Sequence, residues 1–224
     1  RLKYLPRWLV GRLRGQTKRR WLYDTAIMYV DGLLGRLFDT LERTGQLDDT
    51  VILVTGDHGL YYAESPRKKS QIGSRTHYED IEVPLVLANA DRAPADNGMI
   101  DSMGVVATFI DALGVPPHES FKGVSALVGG RRCVISESCG HGDADLARRD
   151  IYFTVTTPTH KMMAVLRGSD LKAEKFFDRR DDPREMNNVV SDPAQRDKIE
   201  QVVQMLRAER AEIFEMRQAR HDAA

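Results

Sequence analysis

The sequence predicts an α/β chain in two parts: helix–loop–strand units through residues 1–130, then a small antiparallel sheet closed by a C-terminal helix over 131–224. Three observations predict it. Tyr23, Ile27, Val30, Leu34, Leu37 and Leu41 fall at spacings of four and three, one face of a helix over residues 19–43. A tight Leu47-Asp48-Asp49 turn then leads into residues 51–55, a β-branched and aliphatic run that reads as a strand buried on both faces. Helix, short loop and buried strand form the repeating unit of an α/β sheet. After residue 130 the pattern becomes short strands of mixed polarity separated by turn residues.

Each further element has its own signal. Gly45 is placed to cap the first helix. Residues 60–80 lack periodicity and crowd Glu64, Arg67, Lys68, Lys69, Arg75 and His77 together, which reads as a long loop beyond the sheet edge, with Glu64 solvated. A second strand is expected over 83–88, with Pro84 near its start. Asp101 opens a helix carrying Met103, Val106, Ile110 and Leu113, and Gly114 with Pro116 and Pro117 stops it. In the second part, residues 133–136, 151–157 and 161–166 read as strands, and Thr157-Pro158-Thr159-His160 as a hairpin connection that also assigns His160 and Lys161 to the hairpin. A single helix is expected over 193–217, N-capped by Ser191 or Asp192, with Ile199, Val202, Leu206 and Ile213 as its apolar stripe.

Composition narrows the function. At 42% apolar and 29% charged, the 224 residues suit a globular fold, and 33 basic against 33 acidic residues leave no global field for nucleic acid or an anionic membrane. No apolar run reaches the length of a membrane span. The basic cluster over residues 1–20 reads as a solvated arm, or as a face for an anionic substrate. Cys133 and Cys139 form no disulfide framework, and Cys139-Gly140-His141-Gly142-Asp143 has no second pair to complete a metal site. The chain opens on Arg1 without a signal-peptide pattern, so it reads as a processed product or a piece of something longer, with its compartment unknown.

The chemistry concentrates where residues 51–55 end in Gly56-Asp57-His58-Gly59. Ligands of open α/β sheets bind beyond the carboxyl ends of strands. A carboxylate beside an imidazole at that position makes half of a metal site, although the same residues also suit an ordinary turn.

Five segments, in order over roughly residues 20–190, resemble the sulfatase family of the alkaline phosphatase superfamily. They are residues 23–35, with their Tyr23 and Val30-Asp31; Gly45 to Gly59, ending in Asp57-His58-Gly59; and Tyr78-Glu79-Asp80-Ile81-Glu82-Val83-Pro84-Leu85. Residues 105–123, with Thr108, Leu113-Gly114 and Gly123, and Lys175-Phe176-Phe177-Asp178 with Asp182-Pro183-Arg184-Glu185-Met186-Asn187-Asn188 complete the series. Asp49, Gly56 and Glu82 stand where the family commonly has Asn, Ser and Arg.

The resemblance implies part of a large mixed β-sheet flanked by helices, followed by a small antiparallel sheet with a C-terminal helix. It also implies a metal-dependent sulfuric-ester hydrolase acting on a sulfated small molecule or glycan. Asp57 and His58 carry over as ligands of a divalent metal ion, calcium first, with manganese or zinc as alternatives. That ion polarises the sulfate and holds the nucleophile for in-line attack. Aligning on Tyr78-Glu79 puts Ser74 where the family has a sulfate-binding lysine, so Arg75 and His77 become the candidate catalytic residues, with Lys69 as another cation. Arginine holds sulfate bidentately but donates protons poorly, whereas histidine can donate one. The same resemblance makes residues 137–145 candidates for the substrate entrance. The family's Cys/Ser-x-Pro-x-Arg nucleophile motif is absent, and neither cysteine matches it. The chain is therefore expected to be a C-terminal segment, to need its N-terminal half, and to be inactive alone. A phosphonate or phosphate ester hydrolase of the same superfamily and a non-catalytic binding module are the alternatives.

Overall fold

A computed structural model describes residues 18–60, 76–95, 99–139 and 149–223. Helix α1 runs Lys18–Arg43, and Thr44 and Gly45 close it, with Gly45 at φ 67°. That left-handed backbone is open to glycine at no steric cost. Strand β1, Ile52–Thr55, pairs antiparallel with β2, Leu85–Ala88, in the register Ile52↔Ala88 to Thr55↔Leu85. The expected burial of the first strand on both faces is not observed: its residues are half-buried and Thr55 is exposed. Among the described residues β2 is its one paired neighbour, so part of its surface has nothing to pack on.

Two other boundaries differ from the sequence reading. Pro84, lacking an N–H for the ladder, precedes β2 instead of sitting inside it. The tail of the expected 60–80 loop is a short helix, α2, Tyr78–Ile81. Helix α3, Ser102–Ala112, begins as expected, with Asp101 accepting from the Gly104 amide at 2.9 Å.

The second part is a four-stranded antiparallel meander: β3 (Val134–Ser138), β4 (Ile151–Thr156), β5 (His160–Arg167) and β6 (Asp170–Asp178). The β4–β5 hairpin closes where Thr157 N–H donates to the His160 carbonyl at 2.8 Å. His160, expected in the connection, is the first residue of β5, opposite Asp178, and Lys161 follows it in the strand as expected, opposite Thr156 and Phe177. A 3₁₀ turn, Pro193–Gln195, capped by Asp192, leads into α4, Arg196–Glu209, and α5, Ala211–Asp222. The single helix expected over 193–217 is therefore two. Arg210 breaks it at φ −131°, ψ 33°, where its guanidinium reaches Glu137 on β3. We propose a division of the chain near residue 130, between the two sheets.

Strand alternation explains the layering. Ile151, Phe153, Val155, Met162, Ala164, Leu166 and Phe176 point to one face and pack on Val202, Leu206 and Ile213 of the C-terminal helices. Thr154, Lys161, Met163, Val165 and Phe177 point to the opposite face and are buried as well. Thr76 and His77 help cover that second face: the Thr154 hydroxyl donates to the Thr76 hydroxyl, and the His77 and Phe177 rings stand 6.0 Å apart. The segment leading into α2 is thus packed on the small sheet.

Candidate active site

Asp57 and His58 follow directly on β1, and both side chains stand in the open, 88% and 73% exposed. Asp57 Oδ1 accepts from the His58 amide at 2.9 Å, which fixes the carboxylate beside the imidazole. His58 Nδ1 lies 2.7 Å from the Gly59 carbonyl. A carbonyl only accepts, so Nδ1 carries the hydrogen and Nε2 presents its lone pair. Nε2 and Asp57 Oδ2 are 3.7 Å apart, a gap that one divalent ion spans with bonds of about 2.0–2.6 Å. The pair therefore fits as two donors of a larger ligand shell. Among the described residues no group of three His, Cys, Asp or Glu side chains gathers into a complete shell. The Gly59 carbonyl and then the Asp57 carboxylate raise the His58 pKa, so an ion at Nε2 competes with a more firmly held proton.

The pair opens into a cleft of about 560 Å³ between the two parts of the molecule. Thr55 to His58 and Asp80 to Val83 line one side, Met99 to Ser102 another, and β3 residues with Thr156 and Arg179 the third. Three of the lining carboxylates are neutralised by arginines: Glu82 by Arg179 at 2.8 Å, Asp101 by Arg131 at 2.8 Å, and Glu137 by Arg210. Asp57 and Asp80 have no arginine or lysine partner among the described residues, which leaves this end of the cleft suited to a cation.

Gly59 joins this loop to α2. Its amide donates to the Asp80 carbonyl at 2.9 Å, and a Cβ at this position would collide with the Glu79 carbonyl. Only a residue without a side chain allows the two backbones to approach so closely.

His77 does not line the cleft. Its side chain is 6% exposed, with Nδ1 2.5 Å from Glu185 Oε2 and Nε2 3.1 Å from Lys175 Nζ. An ammonium only donates, so Nε2 accepts and Nδ1 donates to the carboxylate. Glu185 also takes the Tyr78 amide at 3.1 Å and Lys161 Nζ at 2.5 Å. Burial alone would raise the Glu185 carboxyl pKa. The hydrogen bond from His77 and the charge and hydrogen bond of Lys161 outweigh it, and the carboxyl is held below its ordinary value. Burial lowers the Lys161 pKa against the pull of Glu185.

Residues 10–115 match the family model for sulfatases. This stretch of the chain belongs to the sulfatase family. The chain is 28% identical over 220 residues to an N-acetylglucosamine-6-O-sulfatase of Bacteroides thetaiotaomicron, covering 88% of this chain and 38% of that relative. It is 27% identical over 192 residues to the multifunctional alkaline phosphatase superfamily protein PehA of Trinickia caryophylli, covering 78% of this chain and 37% of that protein. The solved structure of BT4656 in complex with its substrate D-glucosamine-2-N,6-O-disulfate superposes with a TM-score of 0.63 at 21% identity, over 84% of this chain and 39% of that one. This likeness shows the α/β sulfatase fold. The chain spans less than two fifths of the length of these relatives.

Of the residues that the sequence pointed to, Asp57 and His58 stand together at the cleft and His77 lies behind it. Arg75, Lys69, Ser74, Glu64, His141, Asp143 and residues 1–17 of the basic cluster over 1–20 fall outside the described residues, and Lys18 to Arg20 begin α1. Glu137, at the start of the segment expected to border the entrance, does line the cleft. Cys133 is buried, and burial pushes its thiol pKa up, which suits a core residue rather than a thiolate nucleophile. Sequence reasoning missed Glu185 and Lys175 as partners of His77, and Lys161 as the second cation on Glu185. No described helix is long and apolar enough to cross a membrane.

Proposed function

We propose that the full-length protein is a metal-dependent sulfuric-ester hydrolase, to which this chain contributes Asp57, His58 and one wall of the substrate cleft. The observation that carries this reading is the exposed Asp57–His58 pair, 3.7 Å between Oδ2 and Nε2, at the strand end facing a cleft of about 560 Å³. A divalent ion held there, calcium before manganese or zinc, supplies a Lewis acid for the sulfate oxygens. Asp57 contributes a hard carboxylate donor, and the Gly59 carbonyl orients His58 so that Nε2 faces the ion. Arg75 is proposed as the sulfate-binding cation, by its place in the sequence. His77 is proposed as an anchor in place of a proton donor, since both ring nitrogens are engaged away from the cleft. The nucleophile and the remaining ligands are proposed to come from outside these 224 residues, because the Cys/Ser-x-Pro-x-Arg motif is not among them. The substrate class is a sulfated small molecule or glycan, as with the glucosamine sulfate bound by BT4656.

The likeness to PehA, named as multifunctional, favours phosphonate or phosphate ester hydrolysis as the second reading. A non-catalytic binding module is the third. Titration calorimetry of the full-length protein with Ca²⁺ and Mn²⁺ separates the last from the others. Stoichiometric binding abolished by Asp57→Ala is expected; no binding in the wild type would leave only the module. Comparing turnover of aryl sulfate and aryl phosphonate by that protein then decides between the two esters. The 224-residue chain alone is expected to hydrolyse neither, and sulfate release from it that Asp57→Ala abolishes would refute the split-site reading.

A further inference from the structure

Glu185 is an unusual residue to find where it is. Its carboxylate is 1% exposed, and its backbone sits at φ 54°, a left-handed conformation that is unfavourable for a residue with a Cβ. The turn that holds it is closely tied. Glu185 N–H donates to the Asp182 carbonyl at 3.0 Å, and the Asp182 carboxylate takes the amides of Met186 and Asn187 at 2.9 and 2.8 Å. Asn188 Oδ1 fastens the far end to Phe176 N at 2.9 Å. This construction drives the Glu185 side chain inward onto the face of the small sheet occupied by Lys161.

There the carboxylate collects His77 Nδ1, the Tyr78 amide and Lys161 Nζ. Two of those donors belong to the segment that opens α2, and α2 in turn holds Gly59 through the Asp80 carbonyl and the close approach to Glu79. Gly59 orients His58 through its own carbonyl. A continuous set of contacts therefore runs from β5, through Glu185 and α2, to the two residues at the cleft. We propose that Glu185 is a positioning residue that locks α2 onto the small sheet and thereby sets the placement of Asp57 and His58 for metal binding. The inference rests on the metal reading of that pair.

The test uses the full-length protein and two variants. Glu185→Gln removes the charge that gathers the three donors. The double variant Glu185→Leu with Lys161→Met replaces the buried ion pair by apolar side chains, a change that folded proteins often tolerate, and keeps the test usable if the first variant fails to fold. Affinity for Mn²⁺ by calorimetry is one readout, and hydrogen exchange at the Gly59 amide in metal-free protein is the other. Both variants are expected to lose affinity by about 10- to 100-fold and to exchange faster at Gly59, while the amides of β4 and β5 stay protected. Unchanged affinity in a folded variant overturns the proposal, whether or not Gly59 exchange changes. Slow exchange at Gly59 in both variants overturns it as well. If Asp57→Ala leaves Mn²⁺ binding intact, the metal reading has failed instead, and Gly59 exchange still reports whether the clamp exists.

Discussion

Gly59 is the residue where the site and its support touch. A methyl group there would meet the Glu79 carbonyl, a backbone atom that cannot swing aside. Gly59→Ala is expected to destabilise the folded protein by about 1–3 kcal/mol and to weaken metal binding, read as a lower urea midpoint and a higher Kd. Wild-type values for both would mean that the loop relaxes freely. Legibility at this scale followed distance along the chain. Asp57 and His58 are neighbours at a strand end, so their chemistry could be read from ten residues. His77 and Glu185 are 108 positions apart, and the usual rule that charges stay at the surface argues against pairing them. His77 accordingly reads from the sequence as a reactive loop histidine, whereas the fold buries it. Lys161 reads from the sequence only as a hairpin residue, and strand alternation puts it on a covered face.

Periodicity specifies elements better than it specifies their ends. The apolar spacing of α1, the Asp101 cap and Gly114 stop of α3, and the strand runs of the small sheet all appear where the pattern puts them. What the pattern lacks is knowledge of what covers each face. Residues 51–55 have the composition of a strand enclosed on both sides, yet β1 is half-buried because its described partner is β2 alone. The C-terminal stripe of Val202, Leu206 and Ile213 continues across Arg210 in register for one helix, yet the helix breaks at Arg210, whose guanidinium pairs with Glu137 on β3. This helical layer is what holds the small sheet from behind. Leu206 is completely buried against it, so Leu206→Ala is expected to cost about 2–5 kcal/mol, seen as a shift of the urea transition. A loss below about 1 kcal/mol would mean that the helices contribute little to this core.

At the scale of the whole molecule, the two parts are finished to different degrees. The central strands β4 and β5 of the small sheet are buried on both faces, whereas α1 leaves Leu22, Ile27, Tyr29, Val30 and Leu37 about half exposed or more, and α3 leaves Met103 and Val106 nearly so. Apolar area on this scale marks a surface meant to be covered. The chain matches less than two fifths of the length of its curated relatives, and we propose that the cover is the N-terminal half of the sulfatase domain. Burying one such leucine or isoleucine is worth about 1.5–3 kcal/mol, so several together contribute as much as a small domain's net stability. The isolated 224-residue chain is therefore expected to self-associate and bind a hydrophobic dye, and Ile27→Lys with Leu37→Lys to reduce both. In the full-length protein the same double substitution should act in the opposite direction, because it would place two ammonium groups inside a packed interface. Sedimentation of the isolated chain and a denaturation curve of the full-length protein measure the two effects. A monomeric isolated chain, or a full-length protein indifferent to the lysines, would mean that α1 faces solvent and that the missing ligands must be sought across a different surface.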